Sequence, residues 1–298
     1  QTGLFEGDYR FAANQRTQWR SVTVPYSTFS LSADAFQPFQ KENIGTGILI
    51  NHDIAGDSRF RTFQVNFTGA YYLKPASDTN SLFSFGAMMG FTNRYIDYSA
   101  LNFDNQFDGY QYNPVLATGE SFARESRAYF NLQLGAAWYK RLQGRNILNV
   151  GIALANITKP KQSNFDANSI KLDRRFNLHG TFQYALNTEW ELIPSAQLQA
   201  QGKYYELLFG SQVRYILINE KGVYRAIRGG TFYRTADAGY LLVGLDYDKW
   251  IASISYDINL STLIPASNFR GGLEFSLIYI LDVFKPKRIQ HRVCPNYI

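Results

Sequence analysis

Apolar and polar residues alternate singly along most of the chain, a period of two that marks β-strands with one oily and one polar face. After Trp250 one face reads Ala252, Ile254, Tyr256 and Ile258, the other Ser253, Ser255, Asp257 and Asn259. Upstream, Phe176, Leu178, Gly180, Phe182, Tyr184 and Leu186 alternate with Asn177, His179, Thr181 and Gln183. The next stretch sets Trp190, Leu192, Pro194, Ala196, Leu198 and Ala200 against Glu191, Ser195, Gln197, Gln199 and Gln201, with Ile193 as the exception. About fourteen such segments can be drawn, near the roughly 9–11 residues that cross a bilayer at a tilt. Their approximate spans are 8–16, 25–36, 43–52, 60–73, 81–95, 127–139, 146–156, 174–187, 189–201, 204–217, 222–233, 238–247, 249–260 and 270–282.

The connections carry a second pattern. Odd-to-even links include the long stretches 96–126 and 157–173, with 53–59, 234–237 and 261–269. Even-to-odd links include Arg141–Arg145 and the Asn187-Thr188 and Asp248-Lys249 turns, all short. Long and short links broadly alternate, as in outer-membrane barrels with long extracellular loops and short periplasmic turns. That arrangement puts both chain ends in the periplasm. The expected fold is an all-β transmembrane antiparallel barrel of about fourteen strands over residues 1–283, with a periplasmic tail over 284–298.

Periodicity alone does not say which face is inside, because a soluble sandwich and a membrane barrel share it. Composition favours the membrane. With 23 Phe, 21 Tyr and 4 Trp, 16% of the residues are aromatic, and aromatics both favour strands and form girdles at membrane edges. Mean hydropathy is −0.26, and no run approaches the roughly 18 apolar residues of a membrane helix. The opening residues carry no signal-peptide pattern, so an exported chain would already have lost its leader. The net charge of +6 sits on no nucleic-acid-binding module, so nucleic acid is not an expected partner.

Enzymatic readings find little support. Only His52, His179 and His291 are present. His179 alternates with Asn177, Thr181 and Gln183 and so faces the polar side. His52 stands beside Asp53 at an expected strand end, and His291 lies in the tail. No G-x-S-x-G or H-E-x-x-H spacing exists. The single cysteine, Cys294, allows neither an internal disulfide nor a cysteine metal site. No catalytic residue, metal or cofactor is expected. Arg234, Asp257 and Glu274 fall on inward faces, where charges need partners or water, and are read as a lumen charge network, structural rather than channel-lining.

Two segments are candidate partner sites. The 96–126 loop carries Phe103, Phe107, Tyr110, Tyr112 and Phe122, a composition suited to protein recognition, or to a lid over the barrel mouth. The tail carries Lys285, Lys287, Arg288 and Arg292, then Cys294-Pro295, and is either a solvated run or a docking peptide.

Several short segments, in their order and spacing, resemble the PorP/SprF family of Bacteroidetes outer-membrane proteins. They are Tyr9-Arg10, Arg16-Thr17-Gln18-Trp19, Gly229-Gly230-Thr231-Phe232-Tyr233-Arg234 with Asp237, and Ser255-Tyr256-Asp257-Ile258-Asn259. Gly271-Gly272-Leu273-Glu274 follows at the approach to the final strand, and then Cys294-Pro295. The family's Asn-Pro-Ala segment has no counterpart before Gly3, so a trimmed N-terminus is expected. The resemblance implies a non-enzymatic component of type IX secretion and gliding motility, or a paralogue that helps secrete and anchor a surface adhesin. It further implies contact with outer-membrane lipid, with periplasmic secretion components including a peptidoglycan-binding lipoprotein, and with a secreted adhesin's C-terminal domain. The alternative is a passive outer-membrane pore or solute channel.

Overall fold

A computed structural model describes residues 7–20, 24–38, 43–120, 124–163, 170–262 and 264–283. Strands β1 (Tyr9–Gln18), β2 (Tyr26–Phe36), β3 (Ile44–Ala55), β4 (Phe60–Leu73), β5 (Ser81–Tyr95), β6 (Ser126–Arg141) and β7 (Ile147–Ala155) make the first half. The second half is β8 (Arg175–Ala185), β9 (Trp190–Gln201), β10 (Tyr204–Glu220), β11 (Val223–Arg234), β12 (Ala238–Tyr247), β13 (Trp250–Asn259) and β14 (Arg270–Leu281). Each strand pairs antiparallel with its sequence neighbours, and β1 also pairs with β14, from Tyr9 opposite Leu281 to Gln18 opposite Gly272. The sheet closes into a fourteen-strand barrel with no free edge. A four-residue helix (Ile264–Ser267) stands in the β13–β14 link.

The alternation seen in sequence resolves into an inside-out protein. Residues that share a rung across neighbouring strands share a face. The rung Phe29, His52, Phe63, Asn93 and the rung Leu245, Ala252, Leu277 lie on the outer wall. Phe67 is 61% and Val243 64% exposed on that wall. The polar sets turn inward, so the face a soluble barrel would bury is the one presented to the surroundings. Ile193, the exception to the alternation, points inward and is buried.

Two aromatic rims bound the apolar band. At the end with the turns 142–146, 186–189, 221–222 and 248–249 stand Phe83 stacked on Trp138, Trp190 against Tyr215, and Trp250 against Tyr279. At the end with the links 96–125 and 156–174 stand Phe63, Tyr95 and the Phe209–Tyr233 pair. From Phe83 to Tyr95 along β5 the rise is about 30 Å, at roughly 3.3 Å per residue and a tilt near 40°. That is the thickness of a bilayer's hydrocarbon core.

The sequence-derived spans differ from the observed strands mainly at their ends. Strand β3 runs on to Ala55, so His52 is not in a loop approach but within a strand, on the outer wall. The alternation of link lengths is broad rather than strict. The long-loop end includes the two-residue turn 202–203, and the short-turn end includes the seven-residue links 37–43 and 74–80.

In the 74–80 link, the Asp78 carboxylate is held below its usual range by the hydroxyl of Ser81 and the ammonium of Lys140. This contribution is complete above the ordinary aspartate range near pH 4 and is lost as pH falls through the lowered value. The apolar band predicts that Val243→Lys costs about 2–4 kcal/mol if Val243 faces mid-bilayer, measured by urea unfolding from vesicles. A cost below about 0.5 kcal/mol would place Val243 outside the hydrocarbon.

Candidate functional site: inner-wall ion networks and an ordered loop

Strands β13 and β14 keep a one-to-one register from Trp250 opposite Tyr279 to Tyr256 opposite Leu273, then jump to Ile258 opposite Arg270. Asp257 therefore faces two residues, Gly271 and Gly272. Such an extra residue makes a β-bulge, which re-aims neighbouring side chains. A Cβ on Gly271 would sit 2.7 Å from the Asp257 carbonyl carbon, so the close approach requires glycine. Asp257 points into the barrel and accepts a hydrogen bond from Arg16 of β1. Glu274 accepts from Asn14 at 2.6 Å and lies 3.6 Å from Arg16. One guanidinium thus ties β1 to β13 and β14 across the seam that closes the barrel. Arg234 is not drawn into this group by contact. It donates to Asp237 at 2.7 Å and lies 3.7 Å from Glu206, two carboxylates partly open to water.

A larger network lines the inner wall at the short-turn end. Glu191, whose side chain is 1% exposed, accepts from Arg145 Nε and Arg214 Nη1, each at 2.8 Å, and from Gln183 at 3.1 Å. Arg214 also lies 3.6 Å from Asp246, which accepts from Arg228 at 2.6 Å. Arg145 further donates to the carbonyls of Asn187 and Thr188, pinning one turn to the next. Beside the seam, Arg10 forks onto both oxygens of Asp34. The alternation puts Glu191 on the polar face, but only the register reveals its partners. Arg145 and Glu191 are separated by two intervening strands.

Between the two ends the inner wall carries amides and one imidazole. Asn51 donates to Gln64, and Gln64 to Thr92. His179 packs across the bare backbone of Gly151, where a Cβ would lie 2.8 Å from His179 Nε2. Among the described residues, no three His, Cys, Asp or Glu side chains gather into a metal-binding group.

Residues 97–120 of the 96–125 link are tied together by their own polar groups. Asp108 accepts from the backbone N–H groups of Tyr110 and Gln111, each at 2.9 Å, closing a tight turn inside the Phe107–Tyr112 bridge. Buried Gln106 accepts from the Phe103 N–H and donates to the Leu116 carbonyl. On this frame Tyr110 is 96% and Val115 89% exposed, with Phe107 and Tyr112 beside them. The described part of the 156–174 link reaches the inner wall instead. Its Gln162 and the carbonyl of Ser163 accept from Arg94 and Arg127 of β5 and β6, and Lys161 bridges Lys171. Phe122 and the tail candidates Lys285, Lys287, Arg288, Arg292 and Cys294 lie outside the described residues.

The profile of the family described as Type IX secretion system membrane protein PorP/SprF matches residues 2–279. The chain belongs to the PorP/SprF family. The segments that carried the resemblance are thereby placed in the fold of a PorP/SprF protein: Arg16, Asp257, Gly271-Gly272 and Glu274 meet at one bulge and its ion group. Gly230 has a different use, leaving room for Gln212 and the Ser211 carbonyl of β10. No curated protein matches the chain. Among solved structures, the toluene transporter TbuX of Ralstonia pickettii aligns over 93% of this chain and 90% of its own, at 10% identity and TM-score 0.52. A FadL homologue of Pseudomonas aeruginosa aligns over 91% and 88%, at 11% identity and TM-score 0.52. At these identities the likeness is one of fold.

Removing one member of a buried ion group strands the others. Glu191→Ala should cost about 3 kcal/mol, the low end for such groups because Arg145 is partly solvated, read from denaturant unfolding. Asp257→Asn, which leaves Glu274 near Arg16, should cost about 1.5–3 kcal/mol by the same assay. In the loop, the Gln111 and Tyr110 N–H groups hold the Asp108 carboxylate below its usual range. The turn is therefore fully supported above the ordinary aspartate value near pH 4. It loosens as pH falls through the depressed value, read as faster hydrogen exchange at Tyr110 and Gln111.

Proposed function

We propose that this PorP/SprF barrel is a non-enzymatic scaffold of type IX secretion in the outer membrane, whose 96–125 loop grips an exported protein. Type IX secretion and the barrel fold come with the family. The client is the proposal: the C-terminal domain of a secreted surface adhesin. The observation that carries it is the nearly complete exposure of Tyr110 and Val115 on a loop already tied by Asp108, Gln106 and Asn105. Large aromatic contacts on a pre-ordered frame bind without a heavy ordering cost. The long-loop end then faces the cell exterior and the short turns the periplasm. There the basic tail would meet secretion components, including a peptidoglycan-binding lipoprotein.

A passive pore is the second reading, favoured by one observation: amides such as Asn51, Gln64 and Gln133 line the inner wall between the two ion networks. The ion pairs described join nearby strands along the wall.

Purification of the native complex in mild detergent, with mass spectrometry of co-purifying proteins, tests the scaffold reading. Secretion components or a large surface protein should accompany the wild type, and deletion of 104–116 should remove the surface protein while the barrel still folds. Recovery of a partner-free barrel after cross-linking would overturn the scaffold. A deletion that instead raises single-channel conductance identifies the loop as a lid.

A further inference from the structure

Three basic side chains on the outer wall sit beside aromatic rings at the rims. Lys140 lies near Trp138 and reaches Asp78 at 3.1 Å, and Arg225 covers Tyr247 and donates to its hydroxyl at 3.2 Å, both at the short-turn rim. Arg61, at the long-loop rim, has its guanidinium carbon 5.8 Å from the Tyr95 ring and, among the described residues, no carboxylate partner. Two of the neighbouring acids are engaged elsewhere. Asp53 points inward and accepts from Thr28, and Asp97 is held by Ser99.

Arg61, His52, Phe63, Asn93 and Tyr95 line an outward recess of about 320 Å³. The registers put His52, Phe63 and Asn93 on one rung and Arg61 and Tyr95 on the rung above. Asn93 accepts from the Ser126 hydroxyl at 2.8 Å, which fixes its amide, and His52 meets the Phe63 ring edge-on. On the membrane side of the recess, Phe67, Met89 and Phe91 continue the outer wall as an exposed apolar track. A cation with two further polar groups above such a track matches an amphiphile whose charged end is anionic. Guanidinium and imidazole both donate to phosphate oxygens, and the apolar track takes hydrocarbon.

We propose that this recess binds the phosphate of an anionic lipid headgroup, with the acyl chains lying along Phe63, Phe67 and Phe91. The site belongs to the leaflet at the long-loop rim, and it is the outer one if the orientation proposed above holds. The recess stands on the outer wall, away from the loop face proposed for a client, so the two can fail separately.

The full-length protein in nanodiscs of phosphatidylglycerol and a neutral glycosyl diacylglycerol provides the test, with bound lipid identified by native mass spectrometry. The wild type should retain phosphatidylglycerol over the glycolipid. Arg61→Gln with His52→Phe should reduce that preference about tenfold, the effect of one lost charge-assisted hydrogen bond, while Arg225→Gln at the opposite rim leaves it unchanged. A wild type without preference overturns the proposal before any variant is made. So does a preference that survives the double substitution, or displacement of the lipid by millimolar inorganic phosphate, which would make the recess a site for free anion.

Discussion

A chain surrounded by hydrocarbon must satisfy every backbone N–H and C=O within itself, and a sheet does so only when its last strand bonds to its first. The β1–β14 ladder, from Tyr9 opposite Leu281 to Gln18 opposite Gly272, is where that condition is met here. Much of the remaining organisation follows from it. Closure leaves side chains only two directions, into the lumen or into the surroundings, and each strand sorts its residues between them at every step. Arg16 reaches Asp257 and Glu274 across that ladder, and beside it Arg10 ties β1 to β2 through Asp34. The charges nearest the seam therefore support the ladder on which the closed sheet depends.

The fold was legible in the sequence because a period of two survives even where propensities are mixed, and because link lengths alternate independently of it. What the alternation could not supply was which face is inside. That answer needed closure, which exposes Phe67 and Val243 and buries Glu191. Strand ends were also less legible. His52 lies inside β3 because the strand continues through Asp53, Ile54 and Ala55, which stay paired with Thr62, Arg61 and Phe60 of β4.

The candidate site was legible only in part. Asp257 and Glu274 could be placed inward by counting, and Arg234 beside them. That Arg16 would join the first two goes with a bulge at Gly271-Gly272 that no periodicity reports, and Arg234 turns instead to Asp237, three residues on. The Glu191–Arg214–Asp246–Arg228 chain was hidden for a related reason. Its members come from strands β9 to β12 and are far apart in sequence until the registers align them. Between the two networks the described inner wall carries uncharged groups such as Asn51, Gln64, Thr92 and His179. Charge is concentrated where the wall approaches water and is paired where it does not.

The closing ladder also bears on how such a chain reaches its folded state. Asn14 and Glu274, hydrogen-bonded partners across it, are separated by 260 residues. Contacts of that sequence separation carry a large loop-closure entropy and form slowly. The first strand must wait, unsatisfied on one edge, until the last has been delivered. During that interval β1 and β14 are complementary to any strand that meets them, including those of other copies. A barrel closed in this way needs its unfinished edges shielded during assembly, so the demand for a folding assistant is written into the same ten residue pairs that close the finished wall.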